Sequence, residues 1–236
     1  MKYVRLWLAE QHIYVLKYET NWRGRWQYAQ GGTYRRLRHL SLPETIEDVW
    51  QMYGLQNYTP SLVVSGRDVL WQPLSLVAAS RDKARDLLTW EGESQRRFQD
   101  YAFDVQCQAQ DGHTQWYVGA YRKEMRDAVQ KGIDSMGIPL TTIDVLPALV
   151  SRWCQAVTGC VYVPDGDVYY QIQLRQGIPW SYGLTDAIPC DVAGTDEALL
   201  FQDETRQWST CTGTDTVRAK MERWQLTLPE GLLVAL

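Results

Sequence analysis

Histidine and phenylalanine are scarce in this chain, with three of each in 236 residues. The histidines (His12, His39 and His113) are scattered, and the five cysteines (Cys107, Cys154, Cys160, Cys190 and Cys211) form no CxxC pair. Cys154 and Cys160 lie six apart, which fits no usual zinc pattern. A metal site is therefore not expected, and the thiols read as reduced, mostly buried small side chains. Long apolar runs are missing as well. Nothing approaches the ~20 apolar residues of a membrane helix. The opening segment is broken by Arg5, Glu10, Gln11, His12 and Lys17 with no small-residue cleavage site after it, so no signal peptide is expected and the chain reads as cytoplasmic. There is no basic excess. The 24 Lys and Arg against 28 Asp and Glu give a formal charge of −4, which argues against a general nucleic-acid surface. P-loop, dinucleotide-fingerprint and GxSxG patterns are absent.

What the chain has in quantity is tryptophan and tyrosine, 11 and 14, within a 45% hydrophobic composition. That excludes intrinsic disorder, and the length allows one domain or two small ones with a real core. The tryptophans spread over predicted strands (Trp7, Trp26, Trp71, Trp116, Trp180), helices (Trp50, Trp90, Trp153, Trp224) and loops (Trp22, Trp208). The excess thus reads mainly as filling of a core and of a seam between lobes.

Short β-rich runs at 2–8, 12–18 and 25–31 predict a three-stranded antiparallel meander. Pro43 opens a helix whose Ile46, Val49, Trp50 and Tyr53 share one face, and Gly54 ends it. Strands follow at 61–66 and 69–76. A helix then carries Ala84, Leu87, Leu88 and Glu91 along one side, and a hairpin turns at Asp111-Gly112. A second helix has Met125, Val129, Ile133 and Met136 as its buried stripe, with Gly137 at its end. A strand then gives way to a helix after Pro147. A second strand triplet covers 159–164, 167–174 and 178–184, followed by a strand at 198–204, a helix at 216–226 and an apolar end at 231–236. Two lobes that each open with a three-stranded meander mark a duplicated ribonuclease-H-like architecture.

The element order resembles the actin-like PilM family of type IV pilus and competence assembly, with the short HofM-type proteins and the cytoplasmic part of type II secretion L proteins as relatives. The local match runs through Leu88-Thr89-Trp90-Glu91, Tyr101-Ala102-Phe103-Asp104, Ala120-Tyr121-Arg122-Lys123-Glu124, Gly137, Ile143-Asp144 and Pro147-Ala148-Leu149, in the family's order. The resemblance implies an α/β, actin-like (ribonuclease-H-like) two-lobe fold with an inserted α-β-β-α subdomain. Residues 1–78 plus 139–158 would form the first lobe, 79–138 the inserted subdomain and 159–236 a reduced second lobe. Actin-like ATPases cradle phosphates with two Gly-rich hairpins, because the backbone must approach the phosphate closely. Here the first hairpin is Leu8-Ala9-Glu10-Gln11-His12, without glycine and with a carboxylate, and the second is Pro164-Asp165-Gly166-Asp167. The Gly-Gly expected late in the second lobe is replaced by Phe201-Gln202-Asp203-Glu204. The expectation is therefore a non-catalytic scaffold with no cofactor.

The resemblance also implies a partner: the cytoplasmic N-terminal peptide of a single-pass inner-membrane protein, seated between the first lobe and the inserted unit. Self-association is a further expectation. Trp90, Tyr101, Trp116, Tyr121 and Arg122 are the candidates for that groove. Two other readings stay open. One is an ATP-binding protein with diverged phosphate loops. The other is a ligand- or nucleic-acid-binding module acting through the Trp22, Arg23, Arg25 and Trp26 tip, since aromatic faces interleaved with arginine can stack on bases. The acid pairs Asp165/Asp167 and Asp100/Asp104 read as turn and hairpin-entry residues rather than as metal ligands.

Overall fold

A computed structural model of the protein describes residues 2–23, 26–74, 80–95, 100–110, 113–134, 137, 142–153, 158–186, 197–202 and 207–210. The expected helix at 216–226 and apolar end at 231–236 lie outside the described residues, as do Arg25 and the side chains of Trp26 and Trp90.

The first three strands, β1 (Lys2–Leu8), β2 (His12–Thr20) and β3 (Trp26–Arg35), form the expected antiparallel meander. Alternation along β1 sends Val4, Leu6 and Leu8 to one core and Trp7 to another. Helix α1 (Leu42–Met52) starts on a capping box in which the Ser41 N–H donates to Glu44 Oε2 at 2.8 Å and Ser41 Oγ accepts from the Glu44 N–H. The Ser41 hydroxyl and amide hold the Glu44 carboxyl below its usual range. Ile46, Val49 and Trp50 of α1 press onto Val4, Leu6, Leu8, Ile13 and Val15. The chain then returns as β4 (Thr59–Val64), parallel to β1, and later as β8 (Thr142–Val145), parallel to β4. The sheet order is β3-β2-β1-β4-β8.

Between β4 and β8 the chain makes an excursion through β5 (Val69–Leu74), α2 (Arg81–Gln95), β6 (Tyr101–Gln110), β7 (His113–Arg122) and α3 (Lys123–Asp134). The expectation from the sequence is an inserted unit over 79–138. β5 hydrogen-bonds β7 and so opens a three-stranded sheet of order β5-β7-β6. α3 packs on α1 instead of staying with that sheet. Glycine permits this: a Cβ on Gly132 would lie 3.0 Å from the Pro43 carbonyl oxygen and 3.1 Å from Ile46 Cβ. Val129 and Ile133 of α3 accordingly join the first core. α2 covers the inserted sheet with Ala84 and Leu88, one turn apart, against Trp116, Val118 and Ala120. Leu87 lies beside that stripe, not in it, and is 41% exposed.

Helix α4 (Leu146–Trp153) leads into a second sheet built from β9 (Gly159–Asp165), β10 (Val168–Arg175), β11 (Ile178–Thr185), β12 (Glu197–Gln202) and β13 (Gln207–Thr210). Its order, β11-β10-β9-β12-β13, repeats that of the first sheet. The outer strand differs: β13, which the sequence reading did not anticipate, runs antiparallel to β12, whereas β8 runs parallel to β4. A core shared by the two lobes joins Trp7, Tyr14 and Val63 to Leu146, Leu149 and Val150 of α4 and to Val161, Val163, Tyr170 and Ile172 of the second sheet. Trp7, Trp50, Trp71 and Trp116 are buried, while Trp22 and Trp180 are exposed.

Candidate functional site

The β1–β2 and β9–β10 hairpins meet tip to tip. Asp165, at the end of β9, is 0% exposed. Its carboxylate accepts from the Gln11 N–H at 2.7 Å, His12 Nδ1 at 2.8 Å, the Tyr14 hydroxyl at 3.3 Å and the Tyr170 hydroxyl at 3.1 Å. The Glu10 N–H in turn donates to the Tyr170 oxygen at 2.6 Å. Burial, and next the Asp165 charge, push the Tyr170 phenol far above its ordinary value, so it remains a donor. Gly166 has φ +62°, and a Cβ there would overlap the Gln11 side-chain oxygen. The space between the tips is therefore filled by the protein's own groups. Two more ties cross the seam: the Gly66 N–H to the Tyr182 hydroxyl at 2.8 Å, and Trp71 Nε1 to the Pro179 carbonyl at 2.6 Å. Trp71 also stacks on Tyr117, with ring centroids 5.7 Å apart.

On the other side of the β1–β2 turn lies an open cavity of about 460 Å³. It sits past the carboxyl ends of the neighbouring parallel strands β1 and β4, the place where parallel sheets commonly receive ligands. Leu8, Leu42, Met125 and Ala128 give it apolar walls. Its charged groups are Glu10, Asp68 and Glu124 against Arg36 and Arg122. Arg122 pairs with Asp68 at 2.8 Å and lies over the Tyr101 ring, 5.6 Å from its centroid. Arg36 donates to the Ala9 carbonyl at 3.0 Å, which ties the end of β3 to the first hairpin. Ser65 Oγ accepts from Trp7 Nε1 at 2.8 Å and donates to the Leu8 carbonyl at 3.2 Å, which fixes this hydroxyl at the back of the cavity.

Of the groove residues read from the sequence, Arg122 lines this cavity and Tyr101 supports it. Tyr121 is half-buried against the first core. Trp116 is 3% exposed among Leu74, Ala84, Leu88, Val118 and Ala120, a core residue of the inserted unit and no groove wall. Trp90 lies on α2, its side chain outside the described residues. Trp22 is 86% exposed at the β2–β3 tip, with the Arg23 guanidinium 4.4 Å from its ring centroid. Leu8, Glu10, Arg36, Asp68 and Glu124 were missed as cavity residues, because they come from four separate segments that only the closed fold brings together. Among the described residues no three His, Cys, Asp or Glu side chains gather to hold a metal, and no helix is long and apolar enough to cross a membrane.

Two five-stranded sheets of matching order, joined through α4 and through opposed hairpins, define an actin-like (ribonuclease-H-like) α/β fold. The chain shares this fold with solved structures of other proteins. It is similar to a structure of the PilM-PilN type IV pilus biogenesis complex at a TM-score of 0.59 and 14% identity, over 78% of this chain and 61% of that one. This chain therefore spans less than two thirds of that protein's length. It is also similar to the cytoplasmic domain of EpsL, an inner-membrane component of the type II secretion system of Vibrio cholerae. The TM-score there is 0.54 at 11% identity, over 79% of this chain and 71% of that one. A Bacteroides thetaiotaomicron protein with an actin-like ATPase fold and unknown function matches at 0.53 and 9% identity, over 95% of this chain and 88% of that one. No family's sequence pattern matches the chain, and no curated protein matches it.

Proposed function

We propose that this protein is a non-catalytic cytoplasmic scaffold of a type IV pilus, competence or type II secretion-like assembly machine. Its cavity would receive the cytoplasmic N-terminal tail of a single-pass membrane partner, which holds the scaffold at the inner face of the membrane. The observation that carries the reading is the cavity itself, placed between the first sheet and the inserted unit in a PilM-like arrangement. Apolar walls give a short segment somewhere to anchor, and the fixed charges around them give it register. Against nucleotide turnover stands the hairpin junction. Phosphates need close backbone approach and free N–H donors. Here the Gln11 N–H and His12 Nδ1 are committed to Asp165, the Glu10 N–H to Tyr170, and Gln11 lies against Gly166.

The test uses a synthetic peptide that copies the cytosolic N-terminal tail of a single-pass membrane protein encoded beside this chain's gene. Wild-type protein is expected to bind it in calorimetry. Ala128→Trp, which fills the cavity from the half-buried face of α3, is expected to weaken binding roughly tenfold or more. No binding, or equal binding by the variant, overturns the docking reading. Micromolar binding of Mg-ATP overturns the absence of a nucleotide role.

A further inference from the structure

The four donors around Asp165 converge on one carboxylate and come from both lobes. Gln11, His12 and Tyr14 belong to the first hairpin, and Tyr170 to the second sheet. Neither lobe assembles this set alone. Donors gathered this way demand an anion, since a buried N–H or O–H without an acceptor is costly and a charged acceptor makes the stronger bonds. The chain supplies that anion itself, as the Asp165 side-chain carboxylate at the end of β9. Glycine at 166 lets the turn approach until Gln11 lies against it, and the Asp167 N–H reaches the Gln11 side-chain oxygen at 3.4 Å.

The junction also backs the cavity. Glu10, a cavity residue, is pinned through its N–H by Tyr170, which itself holds Asp165. Ser65, on the facing wall, is followed by Gly66, whose N–H is held by Tyr182 of the second sheet. Tyr170 and Tyr182 stack nearly parallel, at 7° and 6.3 Å between centroids, so the two pins form one unit.

We propose that the Asp165 carboxylate is a built-in anion that closes the two lobes on each other and, as a positioning residue, sets the Glu10 and Ser65 walls of the cavity in place of a bound ligand. Lobe closure by Asp165 stands whether or not the cavity docks a membrane partner. The test is amide hydrogen exchange on the full chain, comparing wild type with Asp165→Ala and with the near-isosteric Asp165→Asn. In both variants exchange across 9–12 and 65–68 is expected to rise roughly tenfold or more, while the β1 and β4 core amides stay protected. Added sodium formate, a free carboxylate small enough for the vacated space, is expected to restore protection in Asp165→Ala. Sodium chloride at equal ionic strength is expected not to. Unchanged exchange in 9–12 overturns the proposal, and so does equal rescue by formate and chloride. Should Asp165→Ala fail to fold, the Asp165→Asn exchange decides alone: loosening supports the proposal and wild-type protection refutes it.

Discussion

Replacing Trp71 and Trp50 separately by phenylalanine separates two kinds of buried indole. Both side chains sit in the first lobe's core, Trp71 9% and Trp50 0% exposed. Either change deletes the same benzo edge, worth about 1–2 kcal/mol once lost apolar burial and the residual cavity are added. The polar consequences have opposite sign. Trp71 Nε1 donates to the buried Pro179 carbonyl at 2.6 Å, so Trp71→Phe leaves that oxygen without its donor and adds about 1–3 kcal/mol. Trp50 Nε1 is buried and has no acceptor among the described residues, so Trp50→Phe removes an unsatisfied donor and recovers a similar amount. Trp71→Phe is therefore expected to cost about 2–5 kcal/mol and Trp50→Phe about 1 kcal/mol or less. Urea unfolding followed by far-UV circular dichroism reads both, with an unchanged slope and a much lower midpoint for Trp71→Phe only. Equal losses for the two variants would refute the reasoning. Trp71→Phe should also loosen the inserted sheet from β11, which exchange across Val69–Leu74 reports.

Gly132→Val is expected to cost about 2 kcal/mol or more in the same assay, because its Cβ meets the Pro43 backbone oxygen, which cannot swing aside as a side chain would. Stability is also expected to fall in strong alkali. The hydrogen bond to the Asp48 carboxylate pushes the Tyr34 phenol from 10.0 up to about 12, and burial raises Tyr170 and Tyr182 as well. A folded-state value above the unfolded one makes this contribution complete below the unfolded value and lost as pH rises through the folded one. Urea midpoints should therefore drop between about pH 10 and 12, and Tyr34→Phe should flatten part of that drop.

The β1–β2 hairpin, the Pro43 helix and the second meander were legible in the sequence because each is a local signal: an apolar run, a turn, a helix start. What escaped was partnership. The run at 69–76 reads as a strand, but nothing in it says that it pairs with β7 rather than with the first sheet. The stripe Val129–Ile133 was correct as a stripe, while the helix it meets is decided by Gly132, which helical periodicity does not weigh. Asp165 was read as a turn residue, and it does open a turn. Its complete burial depends on His12 and Tyr14, more than 150 residues away in sequence and brought to it only across the lobes, together with Tyr170 of its own hairpin. The cavity was half visible through Arg122 and invisible through Leu8 and Arg36, which lie at the ends of strands with ordinary strand composition.

The two sheets share an order, yet their opposed hairpins are chemically unlike. The last paired residue of β1 is Leu8, and the last of β9 is Asp165. Two first halves set face to face would bring donors against donors, with a leucine where the acceptor must be. Two second halves would bring carboxylate against carboxylate. Each half can thus close only on its opposite kind, so the charge pattern selects heterologous over like-with-like pairing of the duplicated units. A single acidic residue thus makes the two halves of the chain non-interchangeable at this junction.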